Sequence, residues 1–177
     1  MKNARRATLL ISVLCLIVGC QKKEPMSTTN EEVFPTEKFA VFESKLPDGR
    51  PVVGNVNLAY SDFPRKKEYP WCLELNIALN ENNLFENGLP KQEESTMANR
   101  FEDDLLAEIR KRSVAHYIGH IYNDGFLDVY VYLDKPKEVH DYLQTQVNKE
   151  GVARPFSYEI KEDTNWTTVE GILMAKK

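Results

Sequence analysis

The chain has 177 residues, of which 42% are hydrophobic and 28% are charged. This composition is that of a folded globular protein and excludes a wholly disordered chain. The length suits one domain of ordinary size. The formal net charge is −4 at pH 7, whereas a nucleic-acid-binding protein would carry a basic excess.

The first twenty residues have the pattern of an export signal. A positively charged head over residues 2–6 precedes the apolar run 7–18, which is too short to span a bilayer. The run ends in Ile17-Val18-Gly19-Cys20, which resembles the lipobox of bacterial lipoproteins. In that class the signal is cut before the Cys, whose thiol then carries acyl chains and whose amino group is usually acylated too. The resemblance therefore implies a signal peptide over 1–19 and lipid attachment at Cys20.

Lipid attachment has consequences for location and charge. Each buried acyl CH₂ contributes about 0.8 kcal/mol, so two or three chains hold a protein on a membrane. Loss of residues 1–19 removes three positive charges and leaves a mature charge of 20 − 27 = −7, so we expect an anionic membrane surface to repel the body of the protein. Gln21 is not the Asp associated with inner-membrane retention. The resemblance thus implies the outer membrane facing the periplasm in a host with two membranes, and otherwise the outer face of the plasma membrane.

The cysteines predict no internal disulfide in the mature chain. Cys15 leaves with the signal and Cys20 carries lipid, so Cys72 stands alone. Cys72 lies within an apolar strand pattern, and we expect it to be a buried hydrophobe rather than a nucleophile.

The mature chain is predicted to consist of a flexible tether over 20–37, which is polar and contains two prolines, and a single domain over 38–177. The domain begins with a hairpin formed by 39–45 and 51–59, because Pro47-Asp48-Gly49 is a turn signal. A loop follows over 60–70.

The remaining elements follow from hydrophobic periodicity. Alternation predicts a strand from Trp71 to about residue 79, and four-residue spacing predicts a helix over 92–112. Strands over 114–122 and 126–133, a helix from 136 to about 148 and a strand over 156–160 come next, and the remainder is a turn with a short strand or helix. The order from Trp71 is β-α-β-β-α-β, which predicts an α+β, ferredoxin-like antiparallel sheet with two helices on one face, preceded by the extra hairpin.

A set of short motifs resembles one bacterial family. The motifs, in chain order, are Trp71 at the start of a strand, Asn87-Gly88-Leu89-Pro90, Phe101-Glu102-Asp103, Gly125 with Asp128-Val129-Tyr130-Val131-Tyr132, and Asp163-Thr164-Asn165-Trp166. Together they resemble the bacterial domain of unknown function numbered six hundred and ninety-five, over about residues 40 to 173. The resemblance implies no catalytic residue.

One face of the predicted sheet is a candidate interaction surface. Alternation places aromatic and acidic side chains opposite the helices, where they offer contact area with polar tips. The candidate residues are Glu74, Asn76, Asp128, Tyr130, Tyr132 and His120. Two alternatives stay open: the hairpin covers this face, or the face is a solvated sheet with cross-strand aromatic pairs. Aromatic side chains on the open face of such a fold also resemble those of single-stranded RNA binders, but the carboxylates of Glu74 and Asp128 argue against RNA.

The two histidines of the fourth strand do not form a single-ion metal site. His116 and His120 are separated by about 13 Å on a strand, too far to converge on one ion. Their face depends on the hairpin turn. A three-residue loop 123–125 places both on the face away from the helices, and a two-residue turn Asp124-Gly125 places both under the helices. We favour the three-residue loop.

The function that these features favour is non-catalytic. No nucleophile elbow, phosphate loop, HExxH motif or calcium loop is present, the run Glu102-Asp103-Asp104 is typical of a solvated helix face, and no cofactor is expected. The leading hypothesis is a lipid-anchored binding module of the cell envelope with a protein or small-molecule partner. One alternative is an inhibitor or immunity-type protein against a secreted toxin or enzyme. A second is an envelope hydrolase that uses Asp128 with His120.

Overall fold

The computed structural model describes residues 33–147, 149–151 and 153–174. The predicted signal peptide, Cys20 and the predicted tether up to residue 32 lie outside the described residues. The described part is an α+β fold with one six-stranded antiparallel sheet and three α-helices. None of these helices is both long and apolar enough to cross a membrane.

The element bounds agree with hydrophobic periodicity to within a few residues. The strands are β1 (Phe39–Lys45), β2 (Pro51–Asn57), β3 (Trp71–Ala78), β4 (Ala115–Asn123), β5 (Phe126–Leu133) and β6 (Phe156–Glu162). The helices are α1 (Gln92–Arg110), α2 (Pro136–Val147) and α3 (Glu170–Leu173). The strand order is β1-β2-β4-β5-β3-β6, with every neighbouring pair antiparallel. The N-terminal hairpin therefore extends the sheet beside β4.

The first face of the sheet packs against α1 and α2 and forms the larger core. The buried residues of α1 follow its 3.6-residue period, and those of α2 are Val139 and Leu143. Burying each Leu or Ile side chain contributes about 1.5–3 kcal/mol. Met97 of α1 is exposed, although its position fits the four-residue spacing that predicts this helix. The core of this face includes Leu73, Leu75, Ile77, Leu105, Leu106, Ile109, Val129, Val131 and Leu133.

The second face is half covered by two segments: the loop predicted after β2, and the C-terminal segment, for which a turn with a short strand or helix was predicted. The loop 58–70 and the C-terminal segment 163–174 cross this face and build a second core. Trp166 is its centre: the ring stacks on Tyr132 with centroids 4.0 Å apart. The Trp166 indole N–H lies 3.1 Å from the Lys66 carbonyl and 3.0 Å from the Tyr69 carbonyl. The buried members are Val56, Tyr60, Phe63, Tyr69, Cys72, Ile118, Tyr132, Trp166, Val169 and Leu173.

The turn between β4 and β5 corrects the favoured register. Asn123 pairs with Phe126, so the turn has two residues, and Asp124 and Gly125 both have positive φ, at 42° and 83°. This is the conformation that an Asp-Gly dipeptide favours in a hairpin whose strands twist to the right. The three-residue loop was therefore wrong.

A bulge in β4 then separates the two histidines. The register shifts between Tyr117 and Gly119, where β4 has one extra residue. The side chains that precede this residue therefore point to the opposite face of the sheet from the one that regular alternation would give them. His120 lies under α1, whereas His116 pairs with Tyr132 and faces the second core. The bulge requires glycine, because a Cβ at Gly119 would lie 2.2 Å from the Asn55 carbonyl oxygen, at a φ of 151°. Neither turn length alone could predict this arrangement.

Candidate functional site

The uncovered half of the second face is a polar surface, which we call the open strip and define by Glu74, Asn76, Asn123, Asp128 and Glu159. These residues come from the far halves of β3 and β5, the end of β4 and the neighbouring strand β6. Asp128 accepts hydrogen bonds of 2.6 Å from the amides of both Asn76 and Asn123. The open strip is thus a carboxylate surface whose central side chain is held in one orientation.

The structure brings three of the predicted surface residues together in the open strip, namely Glu74, Asn76 and Asp128. Glu74 forms an ion pair with Lys161 of β6. Tyr130 stands half-buried between the open strip and the second core. Burial, together with the nearby carboxylates of Asp128 and Glu74, raises the pKa of Tyr130 to about 12, so its hydroxyl stays protonated.

Two predicted surface residues lie elsewhere. Tyr132 is fully buried beneath Trp166 and cannot contact a partner on the sheet surface. The sequence could not predict that Tyr132 is covered, because Trp166 lies more than thirty residues away in the chain and no periodic pattern connects the two. His120 lies on the first face, because the two-residue turn reverses the register that placed it beside Asp128.

Tyr132 instead fastens the C-terminal segment to the sheet. Its hydroxyl donates a 2.6 Å hydrogen bond to Asp163, which also accepts from the backbone N–H groups of Thr167 and Thr168 at 2.9 Å. Burial opposes ionisation of Asp163, but these donors outweigh it and hold the pKa of Asp163 well below its usual range. The carboxylate is charged at neutral pH and holds the segment across the second core.

His120 has a different carboxylate partner from the predicted one. Its Nδ1 lies 2.8 Å from Glu102 Oε2 and 3.1 Å from the Tyr117 hydroxyl. Glu102 is 3% exposed, so it departs from the solvated face expected for its acidic run, while Asp103 and Asp104 are exposed. Asp128 and His120 lie on opposite faces of the sheet, which removes the predicted hydrolase pair. Within the described residues, no three His, Cys, Asp or Glu side chains could hold a metal ion together.

His116 occupies a box of aromatic rings in the second core. The rings of Tyr69 and Phe34 have centroids 3.9 and 4.9 Å from the imidazole, and Nδ1 lies 3.1 Å from the Tyr60 hydroxyl. The Nε2 atom is buried and has no hydrogen-bond partner among the described residues. Burial lowers the pKa of His116 to about 4, so the ring is neutral at pH 7.

Cys72 is fully buried in the same core, as its strand pattern predicted. Burial raises the pKa of its thiol to about 11. Because the thiolate is the nucleophilic form, this side chain is a packing residue at neutral pH.

The comparisons with known proteins establish the class of the chain. The fold is an α+β domain with an acidic open strip, and the family model of a family of unknown function, DUF695, matches residues 37–173. The chain therefore belongs to the DUF695 family, which confirms the resemblance inferred from the motifs. No curated protein and no solved structure matches the chain.

Proposed function

We propose that the protein is an exported, lipid-anchored binding module of the cell envelope, without catalysis, and that the open strip binds its partner. The observation that carries this proposal is the half-covered second face. Two segments cover one half of it, and the other half holds the carboxylates of Asp128 and the exposed Glu159, together with Glu74, which pairs with Lys161.

The fixed orientation of Asp128 in the open strip favours binding of a partner. Two amide donors hold Asp128, while a carboxylate has about four acceptor sites, so outward-facing lone pairs remain for a partner. A side chain that is already fixed loses little entropy on binding, which raises affinity. The negative charge favours a basic partner and accelerates encounter with it.

The anchor rests on the sequence. The charged head, the short apolar run and Ile17-Val18-Gly19-Cys20 form the pattern of a lipoprotein signal.

The strand order supports a finer description of the fold. Because α1 joins β3 to β4, α2 joins β5 to β6, and the four strands lie in the order β4-β5-β3-β6, we propose a ferredoxin-like unit extended by the hairpin β1-β2.

A second candidate function is inhibition of a basic secreted toxin or enzyme. The acidic open strip favours it, because electrostatic complementarity to a basic target gives fast association. Deletion of the gene would then sensitise the cell to the toxin, whereas a binding module without an inhibitory role leaves the sensitivity unchanged.

The experiment compares two charge-neutralising double variants of the anchored protein. Asp128→Asn with Glu159→Gln removes charge from the open strip and retains its shape. Asp103→Asn with Glu138→Gln removes the same charge from exposed positions on α1 and α2. A photoreactive residue in place of the exposed Ser157 reports the partner in intact cells.

We expect the first variant to lose at least about 1 kcal/mol of binding free energy per charge, which reduces the cross-linked product about tenfold or more, and the control to retain it. Equal cross-linking by both variants would refute the open strip as the binding surface. Mass spectrometry of the mature N-terminus tests the anchor separately, and an unmodified Cys20 would refute it.

A further inference from the structure

A basic cleft lies at the end of the molecule where α1 ends and β4 begins. It has a volume of about 540 Å³. Four cationic side chains line it, from the end of α1, the α1–β4 connection and the residue before α2, together with the Ser113 hydroxyl and Asp134. The cations are Arg110, Lys111, Arg112 and Lys135.

The carboxylates beside the cleft are already engaged. Glu108 pairs with Lys111 and with Arg112, the latter at 2.8 Å. Asp134 accepts hydrogen bonds from Ser113 Oγ at 2.7 Å and from the Val114 N–H at 3.0 Å. Arg110 and Lys135 are exposed and form no ion pair with any carboxylate of the described residues. Their charge is therefore available to an external anion.

One further cation lies near the cleft. It is Arg65 of the loop 58–70, which pairs with Glu68, whereas the neighbouring Lys66 donates to the Ser61 carbonyl at 3.0 Å in a separate cavity beside Trp166. The Arg65 guanidinium lies 5.9 Å from the ring of Tyr69, which packs on His116 next to Ala115 of the cleft wall. This end of the molecule, which we call the basic end, thus carries the five cations Arg65, Arg110, Lys111, Arg112 and Lys135, in a chain whose formal net charge is −4.

The covalent path to the predicted anchor enters at the basic end. Phe34 lines the cleft, and its ring packs on His116. Twelve residues lie between Cys20 and Val33, and the thirteen steps from one Cα to the next span at most about 45 Å when fully extended. A connection of this length keeps the basic end at a high effective concentration next to a bilayer that holds the acyl chains.

We propose that the basic end docks on the anionic phospholipid surface of the membrane that holds the anchor, with a lipid phosphate in the cleft. The proposal rests on the lipid attachment proposed above. Arg110 provides a planar guanidinium that matches two phosphate oxygens, and Lys135 adds an ammonium group. The uneven distribution of charge thereby overrides the repulsion expected from the net charge alone.

The test uses the lipid-anchored protein purified from membranes and reconstituted in vesicles. A fluorophore is placed on Lys137→Cys, next to the cleft, or on Glu86→Cys, in the loop at the opposite end. The buried Cys72 does not compete for the label. A quencher on the lipid headgroups reports contact, in vesicles of phosphatidylcholine alone or with phosphatidylglycerol, and free inorganic phosphate serves as a competitor.

We expect quenching of the Lys137→Cys probe to rise when phosphatidylglycerol is added and to disappear at about 1 M salt, where the screening length is about 3 Å. The Glu86→Cys probe stays unquenched. Arg110→Gln with Lys135→Gln lowers the ratio of docked to undocked protein about thirtyfold. The control Arg100→Gln with Lys45→Gln removes the same charge from exposed positions outside the basic end and leaves the ratio unchanged.

Equal quenching of the two probes, or quenching that does not depend on phosphatidylglycerol, would overturn the proposal while leaving the anchor intact. Equal effects of the two double variants would also overturn it, because the attraction would then depend on net charge and not on the cleft. Loss of the effect with millimolar phosphate would identify a soluble phosphate as the ligand and overturn the lipid assignment. A protein that leaves the vesicles altogether refutes the anchor instead.

Discussion

Acid lowers the stability of the second core through His116. The ring is fully buried among aromatic side chains and faces the Tyr60 hydroxyl, with Arg65, Glu68 and Asp134 as the charged groups that act on it. Its pKa is about 4 in the folded protein, against about 6.5 in an unfolded chain. Between these values the unfolded chain binds the proton more strongly. The contribution of His116 to the free energy of unfolding is therefore fully present above about pH 6.5 and is lost as the pH falls towards 4.

The size of the effect follows from the two pKa values. For one group with these values, the free energy of unfolding falls by about 2 kcal/mol between about pH 7.5 and about pH 5. Urea titrations over this range measure it directly. In His116→Phe this contribution disappears, so we expect a shallower slope for the variant. The variant is also less stable at neutral pH by about 1–3 kcal/mol, because the buried Tyr60 hydroxyl loses its partner.

The comparison with an exposed histidine completes the test. His140→Gln, on the surface of α2, should retain the slope of the parent protein. A slope in His116→Phe equal to that of the parent would refute the assignment, because the loss of stability in acid would then come from other groups.

Two further predictions concern buried polar groups. Arg154→Met should lower the free energy of unfolding, measured by urea titration, by about 3–5 kcal/mol. The variant leaves the fully buried Glu94 carboxylate without the guanidinium that contacts it at 2.5 and 2.9 Å. Adding Glu94→Gln should recover most of this loss, and a double variant no more stable than Arg154→Met would contradict the reasoning. Cys72, whose pKa burial raises to about 11, should react with a disulfide reagent at about pH 8 only as fast as the domain unfolds. Rapid modification of the native protein would disprove its burial.

The strands and helices could be predicted because their signals are local. Alternation in β3 and the apolar period of α1 depend on residues a few positions apart, and the predicted bounds match the structure closely. The second strand ends at Asn57, two residues earlier than predicted. The Asn57 side chain accepts hydrogen bonds from the N–H groups of Lys38 and Ala59 and starts a new turn there.

The second core could not be predicted, because its contacts are distant in sequence and carry no period. Trp166 bonds to carbonyls 97 and 100 residues away, and the Ser61 hydroxyl bonds to the Leu173 carbonyl across 112 residues. Alternation placed Tyr132 on the correct face, but it cannot report what covers that face. For the same reason, the sequence could not predict that Tyr132 is buried and lies outside the open strip.

The separation of the histidines was partly accessible from the sequence. Asp124-Gly125 is a strong signal for a two-residue turn, and a glycine inside a strand, such as Gly119, often marks a bulge. Considered together, these two signals could have predicted that His116 and His120 lie on opposite faces. The buried partners of these histidines, Tyr60 and Glu102, have no such signal.

The participation of Trp166, Val169 and Leu173 in the second core sets an order of events during biosynthesis. Ribosomes make the chain from its N-terminus, so the rings around His116 stay without their cover until these late residues have been added. A nascent chain that lacks them exposes Tyr132 and Cys72 to water and cannot complete its native packing. Completion of the second core therefore waits until residues 163–174 have been synthesised.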